Sequence, residues 1–226
     1  MNAKAILVAL GIVVVGLLGV MMFLTGGAGT TVYVADDAAL LRERGEHLLN
    51  KRRHTSDPAK RAEYLTEAIK KFKRAIELKP DFEVAYNMLG HSYIERGQWE
   101  LALQHLNKAL ELRPDYPAAL FNRAHVYKRL SVGKRDHELI DRAIADYKRA
   151  LGSELAANFT GDIHKALADA YHQKDDLKTA IEHYKRYLKV APHAPDATLI
   201  RRKIRGLQLM KDGQAPPLNA PLDSDD

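Results

Sequence analysis

The feature that most constrains the fold of this chain is a 34-residue segment, Glu83–Tyr116, with the pattern of two amphipathic helices. Each half carries apolar or small residues three or four positions apart, which is the spacing of one helix face. A turn at Glu95–Gln98 separates the halves, and Pro114 follows the second. The apolar and small positions are Tyr86, Leu89, Gly90, Tyr93, Ala102, Leu106, Ala109, Leu110 and Leu112. One helix pair cannot bury both of its apolar faces, so neighbouring segments have to supply partners.

The pattern occurs four times, which predicts an array of stacked helix pairs. An alanine that allows close helix approach marks each unit, at Ala68, Ala102, Ala143 and Ala180. The predicted units are residues 37–82, 83–116, 117–157 and 161–194. The first is lengthened at Lys51–Ala62 and the third at Ser131–His137.

These units resemble the tetratricopeptide repeat (TPR), whose consensus combines Trp-x2-Leu-Gly-x2-Tyr with a later Ala-x3-Phe and a closing Pro. In 83–116 the matching residues are Tyr86 in place of Trp, Leu89, Gly90, Tyr93, Ala102, Leu106 in place of Phe, and Pro114. The third unit has Arg123 where leucine is usual, and the fourth has Asp175 in place of the turn glycine. The resemblance implies an all-α fold, a right-handed α-solenoid of about four TPR helix pairs.

One more helix is predicted over residues 195–211. Its predicted apolar side consists of Leu199, Ile200, Ile204, Leu207 and Met210, and its basic side consists of Arg201, Arg202, Lys203 and Arg205. Terminal repeats need a cap with a polar outer face, which favours a capping helix. A basic amphipathic helix that touches a membrane or an acidic partner is the alternative. Residues 212–226 contain three prolines and four aspartates, which predicts a disordered acidic tail.

The N-terminal residues 1–36 differ in composition from the rest of the chain. Residues Ala5–Leu24 carry no charge, and twenty helical residues span roughly 30 Å, the hydrocarbon thickness of a bilayer. The sequence therefore predicts a transmembrane anchor at 5–24 after a short segment 1–4, and a linker at 25–36. A cleaved signal peptide is the alternative. Lys4 lies on one side of this run and Asp36 and Asp37 lie on the other, which predicts a cytoplasmic N-terminus and an exported repeat domain.

No motif in the sequence indicates catalysis, a cofactor or a metal. The absence of cysteine excludes disulfides, cysteine-ligated zinc and thiol catalysis. The sequence contains no glycine-rich phosphate loop and no GxSxG, and His137-Glu138 lacks the second histidine of HExxH. The segment 36–211 holds 34 of the 35 basic and 25 of the 29 acidic residues, a net charge of +9. Because of this positive charge, binding of anionic lipid or nucleic acid by a basic surface is an alternative function.

The resemblance implies that the first helices of successive units line a concave groove that binds a peptide. Positions i, i+3, i+7 and i+10 of each first helix project there. The predicted groove residues are Arg42, Asn87, His91, Phe121, His125, Lys128, Lys165 and His172. We expect Asn87 to bond a ligand main chain, Phe121 to anchor an apolar group, and His125, Lys128 and Lys165 to receive a carboxylate. Alanine at Asn87 or Phe121 is then expected to weaken binding at unchanged melting temperature.

The predicted function is a membrane-tethered TPR scaffold that binds a protein or peptide client. The layout resembles single-pass, membrane-anchored bacterial TPR proteins, which implies the bacterial inner membrane and a role in assembly, export or maturation of envelope proteins. A cytosol-facing receptor for targeting segments is the alternative. Some TPR domains clamp acidic C-termini and are similar to one another at two groove positions. They have asparagine where this chain has Glu46, and a basic residue where it has Asp169. The two carboxylates of this chain are therefore predicted to repel an acidic ligand.

Overall fold

The computed structural model of the chain describes residues 12–15, 20–23, 31–34, 37–134 and 137–214. The chain forms two compact units, residues 1–85 and residues 86–226. In the described residues from 37 onward, every regular element is helical, and this confirms the predicted all-helical repeat domain. We number these α-helices from α1 to α9 in chain order.

The first unit begins with a small antiparallel sheet in the order β1–β2–β3. The strands are β1 (Ile12–Val15), β2 (Val20–Phe23) and β3 (Thr31–Val34). In their register Ile12 lies opposite Phe23 and Val20 lies opposite Val34.

These strands do not support the predicted transmembrane helix over 5–24. Its described parts, β1 and β2, are extended, and β3 lies in the predicted linker 25–36. β-Branched residues such as the Ile-Val-Val-Val of β1 favour strands, and a continuous apolar run does not by itself distinguish a strand from a helix. Among the helices that the structure describes, none is both long and apolar enough to cross a bilayer. The other residues of 1–36, except Thr31–Val34, lie outside the described part.

The first unit continues with one lengthened helix pair, α1 (Ala38–His54) and α2 (Pro58–Leu78). The Asp57 carboxylate accepts hydrogen bonds from two backbone N–H groups of the first turn of α2, and Pro58 occupies the first helical position. The additional residues at 51–62 extend both helices and do not form a separate element. Gly45 gives the pair its close approach, since a Cβ atom there would lie 2.5 Å from Cε1 of Phe72.

The second unit contains the remaining helix pairs and a final helix. Its elements are α3 (Glu83–Glu95, which begins in the first unit), α4 (Trp99–Leu112), α5 (Pro117–Lys134), α6 (His137–Leu151), a 3₁₀ helix (Glu154–Phe159), α7 (Thr160–Gln173), α8 (Leu177–Val190) and α9 (Ala197–Lys211). Each helix from α4 to α8 packs against the next one along the chain. The repeat alanines Ala102, Ala143 and Ala180 are fully buried between these helices.

Three helices of this unit end in the same turn. The turn residue has positive φ, 72° at Gly97, 64° at Asp175 and 72° at Gly213. The residue after it donates its N–H to the carbonyl oxygen five residues earlier, at 2.8–2.9 Å, as in a Schellman motif. Asp175 therefore forms the turn that glycine forms in the other two helices. Aspartate adopts this conformation more readily than most residues with a side chain.

The final helix α9 packs on α8 as the sequence predicted, but with a narrower apolar face. Ala197, Ile200, Ile204 and Leu207 are buried. Leu199 and Met210, which were predicted on the same face, are 59% and 48% exposed. They lie beside the row that faces α8, and the described residues do not cover them. Of the predicted tail 212–226, the structure describes only the helix-terminating residues 212–214.

Candidate functional site

The first helices of three successive repeats, α3, α5 and α7, carry a row of partly exposed polar side chains. We call this row the groove and define it as His91, His125, Lys128, Lys165, Asp169 and His172. Neighbouring members influence one another. Burial lowers the pKa of His125 below its ordinary value, and the charges of Lys128, Arg129 and His91 lower it further. The charge of His91 on α3 therefore acts on His125 of the next first helix.

Asp169 is the point where α5, α7, α8 and α9 meet in the groove. Lys203 Nζ donates to Asp169 Oδ1 at 2.7 Å, Lys128 Nζ lies 3.7 Å from Oδ2, and the Tyr184 hydroxyl donates to Oδ1. Burial alone would raise the pKa of Asp169. The hydrogen bonds from Lys203 and Tyr184, with the charge of Lys128, outweigh that effect and hold the pKa below its ordinary value. Asp169 is therefore an ionised carboxylate with two cationic partners.

A pocket of about 450 Å³ lies between α7 and α9, at the end of the groove. Its lining residues are Lys165, Asp169, Asp196, Leu199, Ile200, Arg202 and Lys203. Lys165 Nζ pairs with Asp196 Oδ2, and the Tyr187 hydroxyl donates to Asp196 Oδ1 at 2.5 Å. Lys165 is therefore held at the pocket by the carboxylate of Asp196, the residue that directly precedes α9.

Helix α9 contributes to the groove, whereas the sequence predicts a capping helix at this place. The 34-residue register contains the signal. Adding 34 to Lys165 gives Leu199, and adding 34 to Asp169 gives Lys203. Helix α9 thus occupies the place of a first helix in a fifth repeat, and its side chains extend the groove.

Two predicted groove residues, Asn87 and Phe121, lie in packed positions and do not face solvent freely. Asn87 is fully buried, donates from Nδ2 to the Tyr116 hydroxyl at 3.4 Å, and accepts from Asn122 Nδ2 at 2.9 Å. The ring of Phe121 is partly buried, and its centroid lies 5.5 Å from that of Tyr147. Because both side chains join elements of the fold, alanine at either position is expected to lower stability, which corrects the expectation of an unchanged melting temperature.

The remaining predicted residue, Arg42, lies in the first unit on α1. Its Nη1 atom pairs with Glu46 Oε2 at 2.6 Å, one helical turn away. The pair is partly exposed, so it contributes little to stability. The charge of Arg42, which the sequence predicts for the groove, is therefore neutralised by Glu46.

A buried histidine pair, His164 and His183, joins α7 to α8. The two Nδ1 atoms lie 3.1 Å apart, so one ring donates a hydrogen bond to the other, and the Tyr171 ring stacks on His183 at 5.7 Å. The second repeat has Tyr86, Tyr93 and His105 at the equivalent positions, each 78 residues earlier, and His105 stacks on Tyr93 at 5.4 Å. This repeated spacing is a sequence signal for the contact between the two histidines, and the prediction of groove residues does not use it.

In the described part of the chain, no three histidine, aspartate or glutamate side chains are grouped as a metal site.

The histidine pair predicts a loss of stability in acid. Burial, then His164, Arg186 and Lys148, lowers the pKa of His183 from 6.5 to about 4. The folded state disfavours the proton, so the contribution of His183 is complete above pH 6.5 and is lost as the pH falls from 6.5 towards 4. We expect the free energy of unfolding to fall by on the order of 1–3 kcal/mol across this window. In urea titrations, His183→Phe should show a shallower fall, whereas a curve parallel to that of the unmodified protein would contradict the assignment.

The fold and the groove define a helical-repeat protein, and comparison of the sequence with family models identifies the repeat. A model described as "TPR repeat" matches residues 90–131, and models described as "Tetratricopeptide repeat" match residues 71–104 and 133–196. The chain therefore contains tetratricopeptide repeats, as the consensus residues predicted. A search of curated proteins gives no match to the sequence.

Several solved structures share this fold. MamA (residue 41 to the end) from Desulfovibrio magneticus RS-1 has a TM-score of 0.60 at 17% identity, over 80% of this chain and 88% of that one. PilF of Pseudomonas aeruginosa has a TM-score of 0.61 at 17% identity, over 78% of this chain and 69% of that one. The first TPR domain of human RPAP3 has a TM-score of 0.51 at 22% identity, over 59% and 98%. At these identities the likeness concerns the fold alone.

Proposed function

We propose that this chain is a TPR scaffold that binds a protein or peptide client along the groove. The observation that carries the proposal is the continuity of the groove. Side chains from the successive first helices α5 and α7 and from α9 form one series of contacts centred on Asp169, and most of them keep part of their surface exposed. TPR domains generally bind protein or peptide partners on the surface that their first helices form.

The charges of the groove favour a client segment with acidic residues. Among the described residues, the three lysines Lys128, Lys165 and Lys203 pair with two carboxylates, Asp169 and Asp196, and three imidazoles extend the same surface. The sequence alone predicts that Asp169 repels an acidic ligand. In the structure that charge is already compensated by Lys203 and Lys128, so this repulsion is removed.

Charge reversal in the middle of the groove tests the proposal. We expect His125→Glu to weaken client capture at least fivefold, because it places a carboxylate among the groove cations. His137→Glu is the matched control, since His137 is exposed at the start of the second helix α6 in the same repeat. Capture is measured by a pull-down of chemically cross-linked client with full-length protein. Equal capture by both variants, with unchanged circular dichroism, would reject the groove as the binding surface.

Membrane attachment and export of the repeat domain stay predictions from the sequence. They rest on the uncharged run 5–24 and on the charges around it. A role in assembly, export or maturation of envelope proteins depends on that location and stays a prediction with it. A reporter that is active only outside the cytoplasm, fused after Asp226, tests the location. An inactive reporter would favour the cytosol-facing alternative.

A further inference from the structure

We propose that an acidic segment of the chain itself, Leu222–Asp226, binds in the pocket between α7 and α9 and there competes with the client. This segment lies outside the described residues; the charge of the pocket, the sequence of the segment and its reach support the docking. The docking does not depend on the proposed function, whereas the competition with a client does.

The pocket combines an uncompensated positive charge with an exposed apolar side chain. Two of its three cations are paired, Lys165 with Asp196 and Lys203 with Asp169. Arg202 is exposed, and the described part of the chain provides no carboxylate that pairs with it. Leu199, at the same pocket, is 59% exposed. Such a site suits a segment in which an apolar residue directly precedes acidic ones.

The segment Leu222–Asp226 has that composition, and its negative charge is opposite to the positive charge of the pocket. Leu222 is followed by Asp223, Ser224, Asp225 and Asp226, so three carboxylates follow one apolar side chain. Pro221 precedes it and restricts the backbone, which reduces the entropy that docking costs. Covering Leu199 with Leu222 would bury apolar surface on both sides, and the carboxylates would then lie near Arg202.

The chain after α9 is long enough for Leu222 to reach Leu199 in the pocket, but it is too short for Leu218 to do so. From Leu199 to Lys211 the helix rises about 18 Å, at ~1.5 Å per residue. The turn at Gly213 then ends the helix, so the chain leaves the helix axis there. Eight extended residues from Gln214 to Leu222 span about 26 Å, at ~3.3 Å each, and reach back past Leu199. Four residues to Leu218 span only about 13 Å at the same rise and fall short.

Attachment of the segment to α9 makes even weak contacts effective. A tethered ligand meets its site at an effective concentration in the millimolar range when the linker matches the span. The segment would therefore occupy the pocket until a client with stronger acidic or apolar contacts displaces it. Because Lys165 and Asp169 belong to both the pocket and the groove, the two ligands exclude each other at this end.

Disulfide trapping in the full-length chain tests the docking directly, because the protein has no cysteine of its own. We compare Leu199→Cys/Leu222→Cys with Met210→Cys/Leu222→Cys under a mild oxidant at low protein concentration. Both helix positions are exposed, at 59% and 48%. For a segment that does not dock, the Met210 pair closes the shorter loop and is favoured. Docking predicts the reverse, with the Leu199 pair at least fivefold faster.

Charge variants of the trapping pair identify the contact. Arg202→Glu should slow the Leu199 reaction to the rate of the Met210 pair or below it. Arg205→Glu, an exposed arginine on the same helix outside the pocket, should leave the rate unchanged. Equal slowing by both variants, or a Met210 pair that reacts as fast or faster, would overturn the proposal. Disulfide-linked dimers as the main product would show a second copy in the pocket and would also overturn it. No client is present, so failure here leaves the client experiment unaffected.

Discussion

Arg123→Ala is expected to lower the free energy of unfolding by about 3 kcal/mol, the low end of the range for breaking a buried ion pair. Arg123 donates to Asp146 through Nε at 2.7 Å and through Nη2 at 2.9 Å, and to Asn107 Oδ1 through Nη1 at 2.9 Å. Asp146 is only 4% exposed, so alanine at 123 leaves a carboxylate buried without its main partner. Arg149 Nη1, 3.9 Å from Asp146, compensates part of the loss. Urea denaturation monitored by circular dichroism measures the change.

The double variant Arg123→Leu/Asp146→Ala is the control for this prediction. Leucine is the usual TPR residue at position 123, and replacing both members of a buried ion pair by apolar residues is often neutral. We expect the double variant to recover most of the stability that Arg123→Ala loses. If the double variant were as unstable as the single one, the loss would come from packing of the arginine stem and not from the buried charge.

Gly90→Leu is expected to destabilise the second unit by about 3 kcal/mol or more, through overpacking of a closed helix interface. A Cβ atom at Gly90 would lie 2.6 Å from Leu106 Cγ and 3.4 Å from the Ala102 carbonyl oxygen. The first contact is shorter than side chains tolerate, and Leu106 is fully buried, so it has no free space into which to move. Helix α4 would have to shift away from α3. The thermal unfolding midpoint measures the loss.

Gly206→Leu provides the same substitution without the steric conflict. A Cβ atom at Gly206 meets nothing within 4 Å among the described residues. Leucine also favours a helix interior over glycine by up to about 0.8 kcal/mol. We therefore expect this variant to unfold at the same temperature as the unmodified protein or slightly higher. Similar behaviour of the two leucine variants would mean that Gly90 does not mark the helix contact of its repeat.

The repeat register could be predicted from the sequence because it depends on local periodicity and on residue size. Ala102, Ala143 and Ala180 all lie at buried helix contacts, as their spacing predicted. Periodicity assigns a residue to a face, but it does not show what covers that face. Asn87 illustrates the difference, since its amide is buried by a partner, Asn122, 35 positions away in sequence.

The parts of the site that the sequence did not yield involve contacts between elements with weak or competing signals. Lys203 compensates Asp169 from α9, a helix whose basic residues had been assigned to a polar outer face. The uncharged run 5–24 satisfied the length of a membrane helix, yet Ile12–Val15 within it is a strand. In both cases the composition showed whether the segment is polar or apolar, but it did not show which element of the fold the segment contacts.

The most direct test of the groove as the client surface is site-specific photo-cross-linking in the full-length protein. A photoreactive residue at His125 or His172 samples the first-helix face, and one at Lys108 or Lys178 samples the exposed face of the second helices α4 and α8. We predict that one client is cross-linked from both His125 and His172 and from neither lysine position. Cross-linking of that client from Lys108 or Lys178, with none from the histidine positions, would contradict the proposed groove.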